Sequence, residues 1–71
     1  MEEDLLHATK AYVEVIEKLG KTSDRMKVQA LEEERVELHW IFIDKLKKYG
    51  ISYRDREDAT RIAYRIVNGE L

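Results

Sequence analysis

Cysteine and proline are both absent from the 71-residue chain. Without cysteine there is no disulfide, no thiolate nucleophile and no cysteine-based zinc site. Without proline, no position removes a backbone donor from a helix. Glycine occurs only three times, at Gly20, Gly50 and Gly69. Long apolar runs are missing too: the longest, Trp40 to Ile43, is far below the roughly 20 residues that span a bilayer. The first ten residues, MEEDLLHATK, are acidic and carry no uninterrupted apolar stretch, which matches neither a secretory signal nor a basic transit sequence. The expected location is cytoplasmic, away from membranes. No strong excess of one charge exists either: 13 basic residues face 15 acidic ones, for a net charge of -2. That balance argues against wholesale binding of a polyanion.

What is present is apolar residues enough to fold. Leu, Ile, Val and Phe together make up 19 of the 71 residues, above the range in which a chain stays disordered. Residues 1–71 therefore read as one small helical domain. At this length, with neither disulfide nor evident metal site, a single core contributes only a few kcal/mol, so self-association is expected. Charge drifts along the chain, from five acids and two bases in residues 1–20 to five acids and seven bases in residues 38–71. Such an asymmetry suits antiparallel pairing of chains or a local basic surface, and differences of this size also arise without function.

The apolar periodicity is helical throughout, and strand alternation is absent. Leu5, Ala8, Tyr12, Val15, Ile16 and Leu19 recur at steps of three and four residues, with Leu6, Thr9 and Val13 widening the stripe. A first helix is predicted over about 3–19, ended by Gly20, with Thr22 or Ser23 capping the next. The second runs over about 23–49 to Gly50, roughly 40 Å long, with Val28, Leu31, Leu38, Phe42, Leu46 and Tyr49 as its main stripe. A third is predicted over about 54–67, capped by Ser52 or Asp55 and carrying Ala59, Ile62, Ala63, Ile66 and Val67 as its buried stripe. The expected fold is all-α: a long antiparallel helical hairpin with the shorter third helix packed back on the second. Equal rise on both hairpin helices sets Tyr12 opposite Leu31 and Leu5 opposite Leu38. The stretch from Trp40 to Tyr49 then projects past the first helix.

Catalytic patterns are lacking. His7 and His39 fall on different predicted helices, and no HExxH, phosphate loop or nucleophile elbow occurs. Glu3, Asp4 and His7 share a face that an ion would fit, but an acidic first turn complementing the helix dipole explains them as well. Nothing calls for a cofactor, and the chain is expected not to be an enzyme.

Three features carry functional expectations. Trp40, Ile41 and Ile43, together with Val36, point around most of the second helix, for which an oligomer interface is the simplest cover, the alternative being that the third helix and the N-terminal residues wrap this stretch within one chain. Arg35 falls in the middle of the main apolar stripe, where a guanidinium needs either a buried acid, Asp4 being the best placed, or a route by which its head reaches water. Arg54, Arg61 and Arg65 align on the third helix beside Tyr64, a composition typical of partner-binding faces. Asp55, Glu57 and Asp58 interrupt that face, which favours a protein partner over nucleic acid phosphates and also suits a plain salt-bridged surface. The segment LKKYGISYRDREDATRIAYRI has the Gly-apolar-Ser run that often marks a helix-turn-helix. Arg56, however, stands where an apolar residue normally locks the recognition helix, so the chain is not assigned to that family. The favoured reading is a non-enzymatic protein-interaction or regulatory module acting as a homo-oligomer, the alternative being a dimeric nucleic-acid-binding protein that uses the arginine face.

Overall fold

The computed structural model describes residues 2–70, which form three α-helices: α1 (Glu3–Lys21), α2 (Arg25–Lys48) and α3 (Arg56–Val67). The all-α, three-helix class expected from the periodicity is the one observed. The molecule measures 37 × 21 × 20 Å, its long dimension being close to the roughly 36 Å of α2 at 1.5 Å per residue.

The helix ends show how local chemistry sets the elements. Asp24, rather than Thr22 or Ser23, caps α2: its carboxylate accepts from the Met26 and Lys27 amides at 3.0 and 3.3 Å. Asp55 caps α3 by accepting from the Asp58 amide at 2.8 Å, and Asp58 accepts from the Arg54 amide at 2.9 Å. Arg54 thus lies just ahead of α3 and not within it. At the other end of α2, Gly50 adopts φ +68. The Ile51 amide then reaches the Leu46 carbonyl at 2.9 Å and the Gly50 amide the Lys47 carbonyl at 3.2 Å, the paired bonds of a Schellman stop. Gly20 behaves differently. It stays inside α1, has no positive φ, and the helix ends at Lys21.

The core is formed by Leu5, Tyr12, Val13 and Val15 of α1, Phe42, Ile43 and Leu46 of α2, and Ala59, Ala63 and Ile66 of α3. α1 is the central element, packing against both α2 and α3. The expected docking of the third helix onto α2 is therefore corrected, since α3 lies chiefly on α1. The physical reason is the breadth of the α1 stripe. Its apolar residues cover roughly half the helix circumference, wide enough for two neighbours, while Ala59 and Ala63 let α3 approach closely. Tyr12 meets Thr60 and Tyr64 meets Glu17, so α3 runs in the same sense as α1.

The hairpin register also differs from the equal-rise expectation. Tyr12 stacks on Phe42, with ring centroids 5.3 Å apart, and Asp4 reaches Lys48 and Tyr49. α1 thus covers α2 as far as its C-terminal end, and no overhang exists at Trp40–Tyr49. The uncovered end is the opposite one, where Met26 is 81% exposed. The cause is the link Thr22–Asp24, whose first and last residues are extended. A three-residue link of this kind spans up to about 10 Å, enough to start α2 well beyond the end of α1.

Because Gly20 is helical, with nothing within 4 Å of a Cβ built there, Gly20→Ala is expected to raise stability by about 0.4–1 kcal/mol. Gly50→Ala is expected to lower it, since φ is positive there. Chemical unfolding of the two variants checks both signs, and a destabilised Gly20→Ala would restore Gly20 as the stop of α1.

Candidate functional site

Docking α2 and α3 on the same central helix leaves a gap between them. One depression of about 200 Å³ is lined by Arg35, Val36, His39 and Trp40 of α2 and Arg56 of α3. A second, of about 470 Å³, shares Arg56 and adds Glu57 and Thr60. Spacing on α2 explains the first wall: Arg35 and His39 are four residues apart, as are Val36 and Trp40, so the two pairs form adjacent rows on one side of the helix.

Behind the lining residues lies Tyr12, 1% exposed, whose hydroxyl is 3.1 Å from His39 Nδ1 and 3.2 Å from Thr60 Oγ1. Thr60 Oγ1 also donates to the Arg56 carbonyl at 3.0 Å. One proton assignment satisfies all three contacts. The threonine proton goes to the carbonyl, which only accepts, so Tyr12 donates to Thr60 and His39 Nδ1–H donates to Tyr12. His39 is then the Nδ1–H tautomer, and its Nε2 lone pair has no hydrogen-bond partner among the described residues. Burial, followed by the nearby Arg56 and Arg35 cations, pushes the imidazole below its ordinary value of 6.5, so it is neutral at neutral pH. Trp40 lies edge-on to His39, with ring centroids 5.2 Å apart.

Arg35 has a side chain only 12% exposed, and its guanidinium reaches Glu32, one turn earlier, at 3.2 Å. The structure does not bring Arg35 and Asp4 together within the chain. The hairpin register carries Asp4 to the far end of α2, where its carboxylate accepts from the Tyr49 hydroxyl at 2.5 Å and from Lys48 at 2.9 Å, with Lys45 at 3.5 Å. The Tyr49 hydrogen bond, followed by that of Lys48, holds the Asp4 carboxyl well below the usual carboxylate range. Of the four residues expected at an oligomer interface, Ile43 is 1% exposed and belongs to the monomer core, because the shifted register turns it toward α1. Val36 and Trp40 remain exposed, at 46% and 62%. Ile41 is also exposed but points about 100° away from Trp40 around the helix.

The arginine face of the third helix is largely engaged. Arg54 and Arg61 both approach Asp58, at 3.8 Å each, and the Tyr64 hydroxyl donates to Glu17 at 3.2 Å. Burial and then Glu17 push the Tyr64 phenol above its ordinary value. Arg65 is exposed and has no acid within ion-pair distance among the described residues.

Sequence reasoning did not assign roles in the gap to Tyr12, His39, Arg56 or Thr60. The four-residue step from Arg35 to His39 was a readable signal on α2. The contribution of α3 was not readable, because it depends on which helix α3 chooses. Among the described residues no three metal-ligating side chains cluster, and no helix is long and apolar enough to cross a membrane. In comparison with known proteins, no family model, curated protein or solved structure matches the chain.

Tyr12→Phe removes the hydroxyl that serves both other helices and is expected to lower stability by about 1–2 kcal/mol, read as a lower urea midpoint with unchanged m. Tyr64→Phe, at an exposed bond, should change it by less than about 0.5 kcal/mol. For Asp4 the folded carboxyl is the more acidic. Its stabilisation is therefore complete above the ordinary value of 3.8 and is lost as the pH falls below it. Asp4→Asn should flatten the acid limb of a stability-against-pH curve. In double-mutant cycles Asp4→Asn should couple to Tyr49→Phe and act additively with Arg35→Met.

Proposed function

We propose that the protein is a non-enzymatic helical interaction module that works as a homo-oligomer, with the Val36–Trp40 face of α2 as its self-association surface. The observation that carries this reading is the exposure of Trp40 beside Val36 on a side of α2 that neither α1 nor α3 covers. A lone exposed apolar residue means little, but an exposed tryptophan next to an exposed valine and an arginine has the composition of a binding hot spot. Burying such side chains is worth roughly 1.5–3 kcal/mol each, enough to decide an oligomeric state.

A second copy is the occupant that the charges suit. Glu33 and Lys47 stand seven residues before and after Trp40, two helical turns in each direction, and so share its face. Both are exposed, and neither has an intrachain ion pair among the described residues. If two α2 helices cross antiparallel about a two-fold axis at Trp40, Glu33 of each copy meets Lys47 of the other, twice per dimer. The head-to-tail drift in charge works in the same direction.

Sedimentation equilibrium tests this reading. The wild type should dimerise at micromolar concentration, and Trp40→Glu should give a monomer of unchanged helicity. Glu33→Lys should weaken the dimer, and adding Lys47→Glu should restore it. A wild type that remains monomeric at high micromolar concentration overturns the proposal.

A further inference from the structure

We propose that the gap between α2 and α3 is a binding site for a small phosphomonoester, whose phosphate is held between Arg35 and Arg56 and takes a third contact from His39 Nε2, with uptake of a proton by that ring. Arg35, His39 and Arg56 belong to one chain, so the site does not depend on the self-association reading, although Val36 and Trp40 border both.

Three observations converge on it. First, two guanidinium-bearing side chains from different helices line one depression of about 200 Å³, a size suited to a phosphate with a short organic arm. Arg56 has no carboxylate within ion-pair distance among the described residues, and Arg35 engages only Glu32, through Nε and one terminal nitrogen. Guanidinium groups present planar forks that match phosphate oxygens. Second, the wall beyond them is apolar: Val36 and Trp40 offer an aliphatic and an aromatic surface to an ester group. Third, the hydrogen-bond relay from His39 through Tyr12 to Thr60 occupies Nδ1, so the imidazole is oriented by α1 and only Nε2 can change its protonation.

The charged and titratable groups facing His39 are Tyr12 from α1, Arg35 on its own helix with Glu32 beyond it, and Arg56 from α3, with Glu57 on the far side of Arg56. With the gap empty, the two arginines oppose a third positive charge. A bound dianion reverses the sign of the local field, so the imidazole gains a proton and becomes a donor at Nε2. The proton comes from solvent and stays on His39 while the anion is bound, and no covalent bond changes.

NMR titration of both histidines checks the proposal, because exposed His7 on α1 is an internal reference. With phenyl phosphate added at constant ionic strength, the His39 pKa should rise saturably, with no saturable change in the ring signals of His7. Inorganic phosphate should act more weakly and chloride not at all, and calorimetry in buffers of different ionisation heat should show proton uptake. Arg56→Gln, at an exposed position outside the core, should keep its helicity, raise the His39 pKa without ligand, and bind phenyl phosphate roughly tenfold or more weakly. Equal shifts at His7 and His39, an effect that chloride reproduces, or unchanged binding by Arg56→Gln overturns it.

Discussion

The hydroxyl of Tyr12 is the point on which the three helices agree. It belongs to a ring that is 1% exposed, and it meets His39 on α2 and Thr60 on α3 within ordinary hydrogen-bond distance. A buried hydroxyl without partners is costly, so any arrangement that buries this ring must deliver an acceptor and a donor to it. The apolar half of the same residue stacks on Phe42 and so packs against α2 in the register that the Thr22–Asp24 link allows. One side chain thus constrains where α2 lies along α1 and which side of α3 faces inward. The other buried hydroxyl, on Thr9, is satisfied within its own helix by the Leu5 carbonyl and imposes no such condition on its neighbours.

From that constraint follows the division of labour among the helices. α1 carries apolar residues around half its circumference and is buried between two partners, while α2 commits only Phe42, Ile43 and Leu46 fully to the core. α2 is therefore a long helix with a short core segment. Its first turns extend past α1 and carry the exposed Met26. Its flank toward α3 is open. The Asp4 cluster with Tyr49, Lys48 and Lys45 ties down the opposite end of the hairpin, where α3 gives no cover. It does so with partly exposed groups, whose contribution is modest and sensitive to salt.

The number of helices, their approximate limits and the stop at Gly50 were all legible in the sequence, because periodicity and capping are local. Gly20 was misleading for a local reason too: a single glycine inside a helix costs only about 1 kcal/mol, too little to end one whose Val15 and Ile16 pack into the core. The register was not legible, since it depends on the backbone angles of three linker residues that no side-chain pattern encodes. Two site errors descend from it. Within the chain Asp4 meets Lys48 and Tyr49 and not Arg35, and Ile43, which helical angle alone puts on an outer face, packs inward. The breadth of the α1 stripe, with Leu6, Thr9 and Val13 beside the main row, was the one sequence feature that pointed to a helix shared by two neighbours.

The open flank of α2 and the charge of the gap have a common origin. Had α3 folded along α2, it would have covered Val36 and Trp40 and carried Arg56 away from the Tyr12 relay. By lying on α1 it leaves that apolar row in solvent and sets Arg56 across from Arg35. Two cations that always keep their charge then stand near a ring whose charge is adjustable. Exposed Arg56 can relieve some of the repulsion by turning toward solvent, whereas Arg35, 12% exposed, is held by Glu32. The remaining response is that of His39, which stays neutral beside the two guanidinium groups and accepts a proton once negative charge enters. A gap produced by helix choice thus acquires a net charge that depends on its occupant, with the Tyr12 hydroxyl holding the responding ring in place.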